Sequence, residues 1–298
     1  MQEKLMTSTP AELVTPALLR GWRLSTEASG KKDRGTVMVI GGARRTPGAV
    51  MLTGLAGLRV GAGRLTMAVA DSAAIAVAVA IPESGVVGLP EEDGGIDGGA
   101  AGPLLEADLS TAAAVVIGPG LDDAGQAAAL LQSVVPLLGD KTQVVLDAFA
   151  LGVLPGLPEV YDALAGRLVL TPNGAEILRL LEDADADEDS LDIPKASAEV
   201  ARKYQAVVTP HNVISAPDGR SWEVPAGNSG LGTSGSGDVL AGAVGGFLAR
   251  GATPEQAACW GTYLHAVSGD RLSASRGPLS FLARELLEAM PPVIAELN

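Results

Sequence analysis

Six short runs of almost wholly apolar residues, at 37–40, 65–70, 114–117, 144–146, 168–170 and 207–208, constrain the fold of this chain more than any other feature. None alternates apolar with polar residues as a half-buried strand does, so each predicts a strand covered on both faces. Between the first two runs, Met51, Leu52, Leu55, Leu58 and Val60 recur at helical spacing behind Pro47, a residue suited to the first turn of a helix. Residues 122–138, 175–181 and 195–204 repeat the strand-then-helix pattern. Such alternation predicts parallel strands joined by crossover helices: a three-layer α/β/α fold around a mostly parallel sheet, as one domain over residues 1–298.

After the sixth run the pattern changes. Residues 211–216 and 221–224 flank Pro217-Asp218-Gly219, a turn signal that predicts a hairpin. Helices are expected over 236–250 and 254–271, and from 279 to about 297. Asp183, Asp185 and Asp187 alternate as in a calcium loop, but Glu188 stands where an EF-hand needs glycine and Pro194 where it needs glutamate. Residues 182–192 therefore read as a solvated acidic loop, and the glycine-rich residues 94–102 as a loop over the sheet edge.

With 35 acidic against 21 basic residues the net charge is −14, which opposes nucleic acid and anionic membrane surfaces as partners. The single cysteine, Cys259, excludes an internal disulfide and fits a reducing cytoplasm. With only His211 and His265 beside it, no zinc cluster can be assembled. Glu3, Lys4 and Glu12 without a central apolar block argue against a secretory leader, and residues 124–139, interrupted by Gln126, Gln132 and Pro136, are too short and polar to span a bilayer.

Ligands of open α/β sheets bind at the carboxyl ends of strands, so the residues just after each run carry the chemical information. Gly41-Gly42 follows the first, Gly118-Pro119-Gly120 the third, Asp147 the fourth and Thr171-Pro172-Asn173 the fifth, while Gly235-Ser236-Gly237-Asp238 opens a C-terminal helix. The turn Gly41-Gly42-Ala43-Arg44-Arg45-Thr46 lacks the glycine spacing of a dinucleotide fingerprint, and Asp238 stands where a Walker A loop needs lysine. What remains at residues 232–238 is a small-residue stretch leading into a helix whose free N–H groups can hold phosphate. Asp238 beside such an anion is either a general base or a helix-start residue; in both cases the N–H groups are expected to lower its pKa.

Gly235-Ser236-Gly237-Asp238, followed by Val239-Leu240-Ala241-Gly242, resembles the G-x-G-D signature of the ribokinase superfamily. Residues 37–42, Pro47-Gly48-Ala49, Gly61-Ala62-Gly63, 117–121, 145–151, 171–176, 225–229 and Tyr263-Leu264-His265 resemble, in order, successive blocks of the ADP-dependent NAD(P)H-hydrate dehydratases, so the resemblance spans about residues 30–290. It implies a ribokinase-like fold, ADP or ATP with Mg2+, and NADH or NADPH hydrate as substrate, with phosphate transferred to the hydrate hydroxyl and then lost to restore the ring double bond. Carried over position by position, Asp238 is catalytic and faces the hydrate, with Ala49, Gly120 and Asn173 lining the hydrate pocket. Gly235, Ser236, Gly237, Asn228, Thr209, His211 and Asn212 fall on the nucleotide side, and Glu176 assists magnesium. A homo-oligomer is the expected assembly. Asp147 either orients the pocket or caps its loop.

The sequence departs from the family at Asn173, where histidine is usual; at Gly174 and Ala175, where proline and glycine are; and at Thr209-Pro210-His211-Asn212, where a lysine-glycine turn holds the nucleotide. Losing that cation is expected to weaken phosphate binding by about 1–3 kcal/mol. Two other functions fit the same residues: a kinase of a sugar or vitamin-like alcohol, distinguished by a stable phosphorylated product, and a nucleotide-binding protein without turnover.

Overall fold

The computed structural model describes residues 10–22, 30–183 and 186–297, so the leader reading of Glu3 and Lys4 and the alternation through Asp185 lie outside the described residues. The strands are β1 (Glu12–Leu13), β2 (Thr36–Ile40), β3 (Arg64–Ala70), β4 (Ser84–Leu89), β5 (Glu91–Glu92), β6 (Gly95–Ile96), β7 (Ala114–Ile117), β8 (Gln143–Leu146), β9 (Leu168–Leu170), β10 (Val207–Val208), β11 (Val213–Ser215) and β12 (Ser221–Glu223). Ten of them form one sheet in the order β1-β12-β11-β10-β9-β8-β7-β2-β3-β4. All its pairings are parallel except those of β11, antiparallel to β10 and β12. The expected hairpin is thus β11 and β12, closed at Ala216 N to Arg220 O (2.9 Å). β5 and β6 form a separate antiparallel pair.

The helices are α1 (Pro16–Gly21), α2 (Pro47–Arg59), α3 (Asp71–Ala80), α4 (Gly98–Leu109), α5 (Ala124–Val134), α6 (Phe149–Val153), α7 (Pro158–Ala163), α8 (Gly174–Leu181), α9 (Ile193–Tyr204), α10 (Ser236–Ala249), α11 (Pro254–Arg276) and α12 (Ala283–Leu297). The strands are apolar throughout because each feeds two cores. Val37 and Val39 of β2 pack with residues of α2, α10, α11 and α12, whereas Met38 and Ile40 pack with α4, α5, α8 and α9. β7 and β8 divide in the same way, with Val116 and Val145 on one side and Val115, Ile117, Val144 and Leu146 on the other.

The glycine-rich residues 94–102 are not a loop throughout: β6 and the start of α4 replace it, with Asp97 capping the helix through Ala100 N (3.1 Å). Glycine serves close packing there, since a Cβ on Gly98 would lie 2.1 Å from Gln126 O of α5. α11 runs on to Arg276 and α12 begins only at Ala283. Cys259 is buried on α11, which pushes its thiol pKa up. Among the described residues no helix is long and apolar enough to cross a membrane.

Candidate active site

The loops at the carboxyl edge of the sheet are joined by their backbones. After β2, Gly42 N donates to Pro119 O and Ala43 N to Gly120 O, both at 2.8 Å, and Thr46 Oγ1 donates to Gly120 O at 2.7 Å. Gly118, at φ 124°, packs so closely that a Cβ would lie 1.8 Å from Asp147 O. The first turn of α2 is thereby held against the β7 loop: a Cβ on Gly120 would be 3.0 Å from that of Ala49. Ala49 and Gly120, which the resemblance assigned to one pocket, are neighbours.

The small-residue stretch before α10 reaches the helix at Gly235, its N-cap, with φ 89°. Gly237, in the first turn, is exposed, and nothing lies within 4 Å of where its Cβ would stand. Ser236 N donates to Thr233 O at 3.1 Å, whereas Gly237 N has no acceptor among the described residues; a free N–H with open space at a helix start is what a phosphate requires. Ser236 is buried and held by His265 of α11, whose Nε2 lies 2.8 Å from Ser236 Oγ and 3.1 Å from Ser236 O. Burial lowers the His265 pKa to about 4, so the ring is neutral at physiological pH and fixes the loop without adding charge.

Asp238 departs from the expectation of a lowered pKa: burial raises it to about 6. Among the described residues no backbone N–H reaches its carboxylate, so loss of water outweighs the helix dipole. Asp147, at the end of β8, is only 6% exposed and is pushed up to about 7, chiefly by burial and further by the charges of Asp238 and Glu176. Thr171 Oγ1, after β9, donates to Asp147 Oδ1 at 2.8 Å. Ala148 follows at φ 51° and ψ −123°, a conformation costly for a residue with a side chain, by about 1–3 kcal/mol. That strain sits directly beside the carboxylate, with Phe149 42% exposed after it.

Asn173 and Glu176 form a reciprocal capping box on α8: Glu176 N donates to Asn173 Oδ1 and Asn173 N to Glu176 Oε2, both at 2.9 Å. Asparagine is among the best N-caps, which gives the departure from histidine a local structural use. Burial is the leading influence on Glu176 and raises its pKa. Glu176 Oε2 is taken by Asn173 N, which leaves Oε1 without a hydrogen-bond partner among the described residues, and among those residues no group of three or more such side chains could hold a metal ion. An open carboxylate oxygen such as Glu176 Oε1 is the kind of single protein donor Mg2+ can accept, its other ligands being phosphate oxygens and water.

On the other flank, Thr209 is buried, its Oγ1 2.7 Å from Thr262 Oγ1 of α11. His211 is exposed at φ 49°, a turn conformation, and Asn212 pairs with Val224 at the open end of the hairpin, its backbone O accepting Val224 N at 2.8 Å and its Nδ2 donating to Val224 O at 3.4 Å. Asn228 accepts from Gly230 N at 2.9 Å and donates through Nδ2 to Asp270 Oδ1 at 2.8 Å, while Asp270 Oδ2 accepts Gly227 N at 3.0 Å. Thus the side chains of Thr209, Asn212 and Asn228 shape the loops. The sequence reading missed Asp270 and Thr262, and singled out Thr171 only by its place after the fifth strand, without the bond to Asp147. Thr262, His265, Ala266 and Gly269 recur at spacings of three and four on α11, a helix-face signal that could have revealed the support beneath the anion loop.

Residues 37–292 match the family model described as NAD(P)H-hydrate dehydratase. The chain is 39% identical over 297 residues to an ADP-dependent (S)-NAD(P)H-hydrate dehydratase of Xanthomonas campestris pv. campestris, covering 98% of this chain and 99% of that one. It is 37% identical to a bifunctional NAD(P)H-hydrate repair enzyme of Moorella thermoacetica, covering 96% of this chain but only 54% of the relative. A Bacillus subtilis ADP/ATP-dependent NAD(P)H-hydrate dehydratase, co-crystallised with ATP/Mg2+, superposes with a TM-score of 0.78 at 25% identity, covering 97% of this chain and 99% of that one.

Proposed function

The chain belongs to the NAD(P)H-hydrate dehydratase family, and we propose on that footing that its carboxyl-edge site restores NADH and NADPH from their C6 hydrates with ADP or ATP as phosphoryl donor. The observation that carries the site assignment is Asp238 standing in the first turn of α10 beside the side-chain-free space at Gly237. The free N–H groups of that turn, Gly237 N first among them, bind the transferring phosphate, and Asp238, facing the hydrate, accepts the proton of the C6 hydroxyl as its oxygen attacks phosphorus. With a pKa of about 6 it is ionised at neutral pH yet close enough in basicity to return that proton to the departing phosphate. Loss of phosphate from C6 and of a proton from C5 then re-forms the double bond, so the nucleotide donor is shortened by one phosphate and the net change is a dehydration.

Ala49, Gly120 and Asn173 line the hydrate pocket; Gly235, Ser236 and Gly237 face the nucleotide phosphates. Thr209, His211, Asn212 and Asn228 border the nucleotide on the β10 to β12 side. Mg2+, held by Glu176 together with phosphate, would neutralise charge on the transferring group. The reading includes a homo-oligomer in the reducing cytoplasm, supported by Ile75 and Val79 on α3, 82% and 78% exposed, and by the lone Cys259. Incubation with NADPH hydrate, Mg2+ and each nucleotide tests the activity: reduced-nicotinamide absorbance should return with release of inorganic phosphate. A stable phosphorylated alcohol, or nucleotide binding without turnover, would refute it.

A further inference from the structure

Thr46 N donates to Ala43 O at 2.9 Å, so Arg44 and Arg45 occupy the two central positions of a tight turn, and both are exposed. The turn is rigidly placed because Ala43 N and Thr46 Oγ1 both bond to Gly120 O. Among the described residues neither guanidinium forms an ion pair. Arg44 is felt by Glu91, whose carboxyl is held below the usual range first by the Ser72 N–H (2.8 Å) and in smaller part by Arg44. Two adjacent unpaired arginines therefore stand at the rim of a site that contains Asp147, Glu176 and Asp238, on a chain of net charge −14.

Both reactants of the proposed reaction are polyanions, and the carboxylates of the site repel them. The sheet order separates the two. Thr209, Asn212 and Asn228 lie at the β10 to β12 flank, whereas the arginine turn follows β2, across β7, β8 and β9. On the dehydratase reading, with the nucleotide on one flank and the hydrated ring between Gly120 and Asp238, the β2 side is the flank left for the rest of the dinucleotide. Its pyrophosphate is one ribose from the ring; the 2′-phosphate that distinguishes NADPH lies at the far, adenosine end.

We propose that Arg44 and Arg45 bind the pyrophosphate of the hydrated dinucleotide. This rests on the dehydratase reading for the identity of the ligand. Paired guanidinia give forked, charge-assisted hydrogen bonds to phosphate oxygens, a geometry lysine cannot supply. The pair serves NADH and NADPH hydrates alike, since the pyrophosphate is common to both.

The test is a set of Arg44→Gln, Arg45→Gln and double variants, with Arg202→Gln on the exposed side of α9 as a charge control. KM for NADH hydrate and NADPH hydrate is measured at saturating ADP, and Kd for the intact products NADH and NADPH by calorimetry. In the double variant both KM values and both Kd values should rise by a similar factor, roughly 10- to 100-fold. KM for ADP and the melting temperature should stay at parent values, and the salt dependence of product binding should flatten. Unchanged Kd values, a rise confined to NADPH and its hydrate, or a rise in the ADP KM alone would overturn the assignment. A parent protein that binds NADH and NADPH yet dehydrates neither hydrate would sink the dehydratase reading, while the Kd comparison would still decide the role of the arginines.

Discussion

Replacing Asp238 with asparagine separates chemistry from architecture, because the two roles open to this residue predict opposite changes in stability. Its pKa is raised from 3.8 to about 6 by burial, so the folded protein holds the proton more tightly than the unfolded chain does. The stability contributed by the protonated form is complete below pH 3.8 and is lost as pH rises through about 6. At pH 7 the buried charge costs on the order of 3 kcal/mol, the worth of that displacement. Asp238→Asn removes this cost. Its melting temperature should therefore exceed the parent's at pH 7 to 8, and the difference should vanish near pH 4. A helix-start role predicts instead a loss of about 0.5–2 kcal/mol at neutral pH. Turnover should fall on the order of 10²- to 10⁴-fold with loss of the base, while ADP affinity holds or rises. In the parent, kcat/KM should fall about tenfold per pH unit below about pH 6, where the carboxylate protonates. Thermal melts across pH and single-turnover recovery of NADPH from its hydrate supply the measurements. A folded Asp238→Asn protein that turns over at the parent rate, or melts lower at pH 7, would refute the reasoning.

Gly237→Ala places a methyl in open space, so the melting temperature should hold or rise, since alanine favours a helix, while calorimetry shows ADP binding weakened by the lost phosphate space. Asp270→Ala leaves Gly227 N and Asn228 Nδ2 without their acceptor; we expect a loss of about 1–3 kcal/mol in stability and a higher KM for ADP, with faster hydrogen exchange at residues 227–230. His265→Ala should likewise cost about 1–3 kcal/mol in denaturant titrations by leaving the buried Ser236 hydroxyl without its partner. Because the parent ring is neutral above about pH 4, the same variant should leave the shape of the rate profile between pH 5 and 8 unchanged.

By itself the sequence determined the parallel sheet, since Val37 to Ile40 and its companion runs are apolar at nearly every position, Thr66 excepted, as strands with two covered faces are. It also singled out Gly235 to Asp238, because small residues before a helix leave a local and readable signal. It did not reveal α4, whose glycines read as a loop until α5 is packed against them. Nor did it reveal Asp270, which lies 42 residues from the Asn228 it holds. The pKa of Asp238 is the clearest case of what tertiary structure decided. Position in the chain supplies the helix N-terminus and its dipole, which favour the charged form. Burial, which raises the pKa to about 6, arises only when distant segments close around the carboxylate and exclude water. Local order is written in neighbouring residues, whereas desolvation is a property of everything that packs around them.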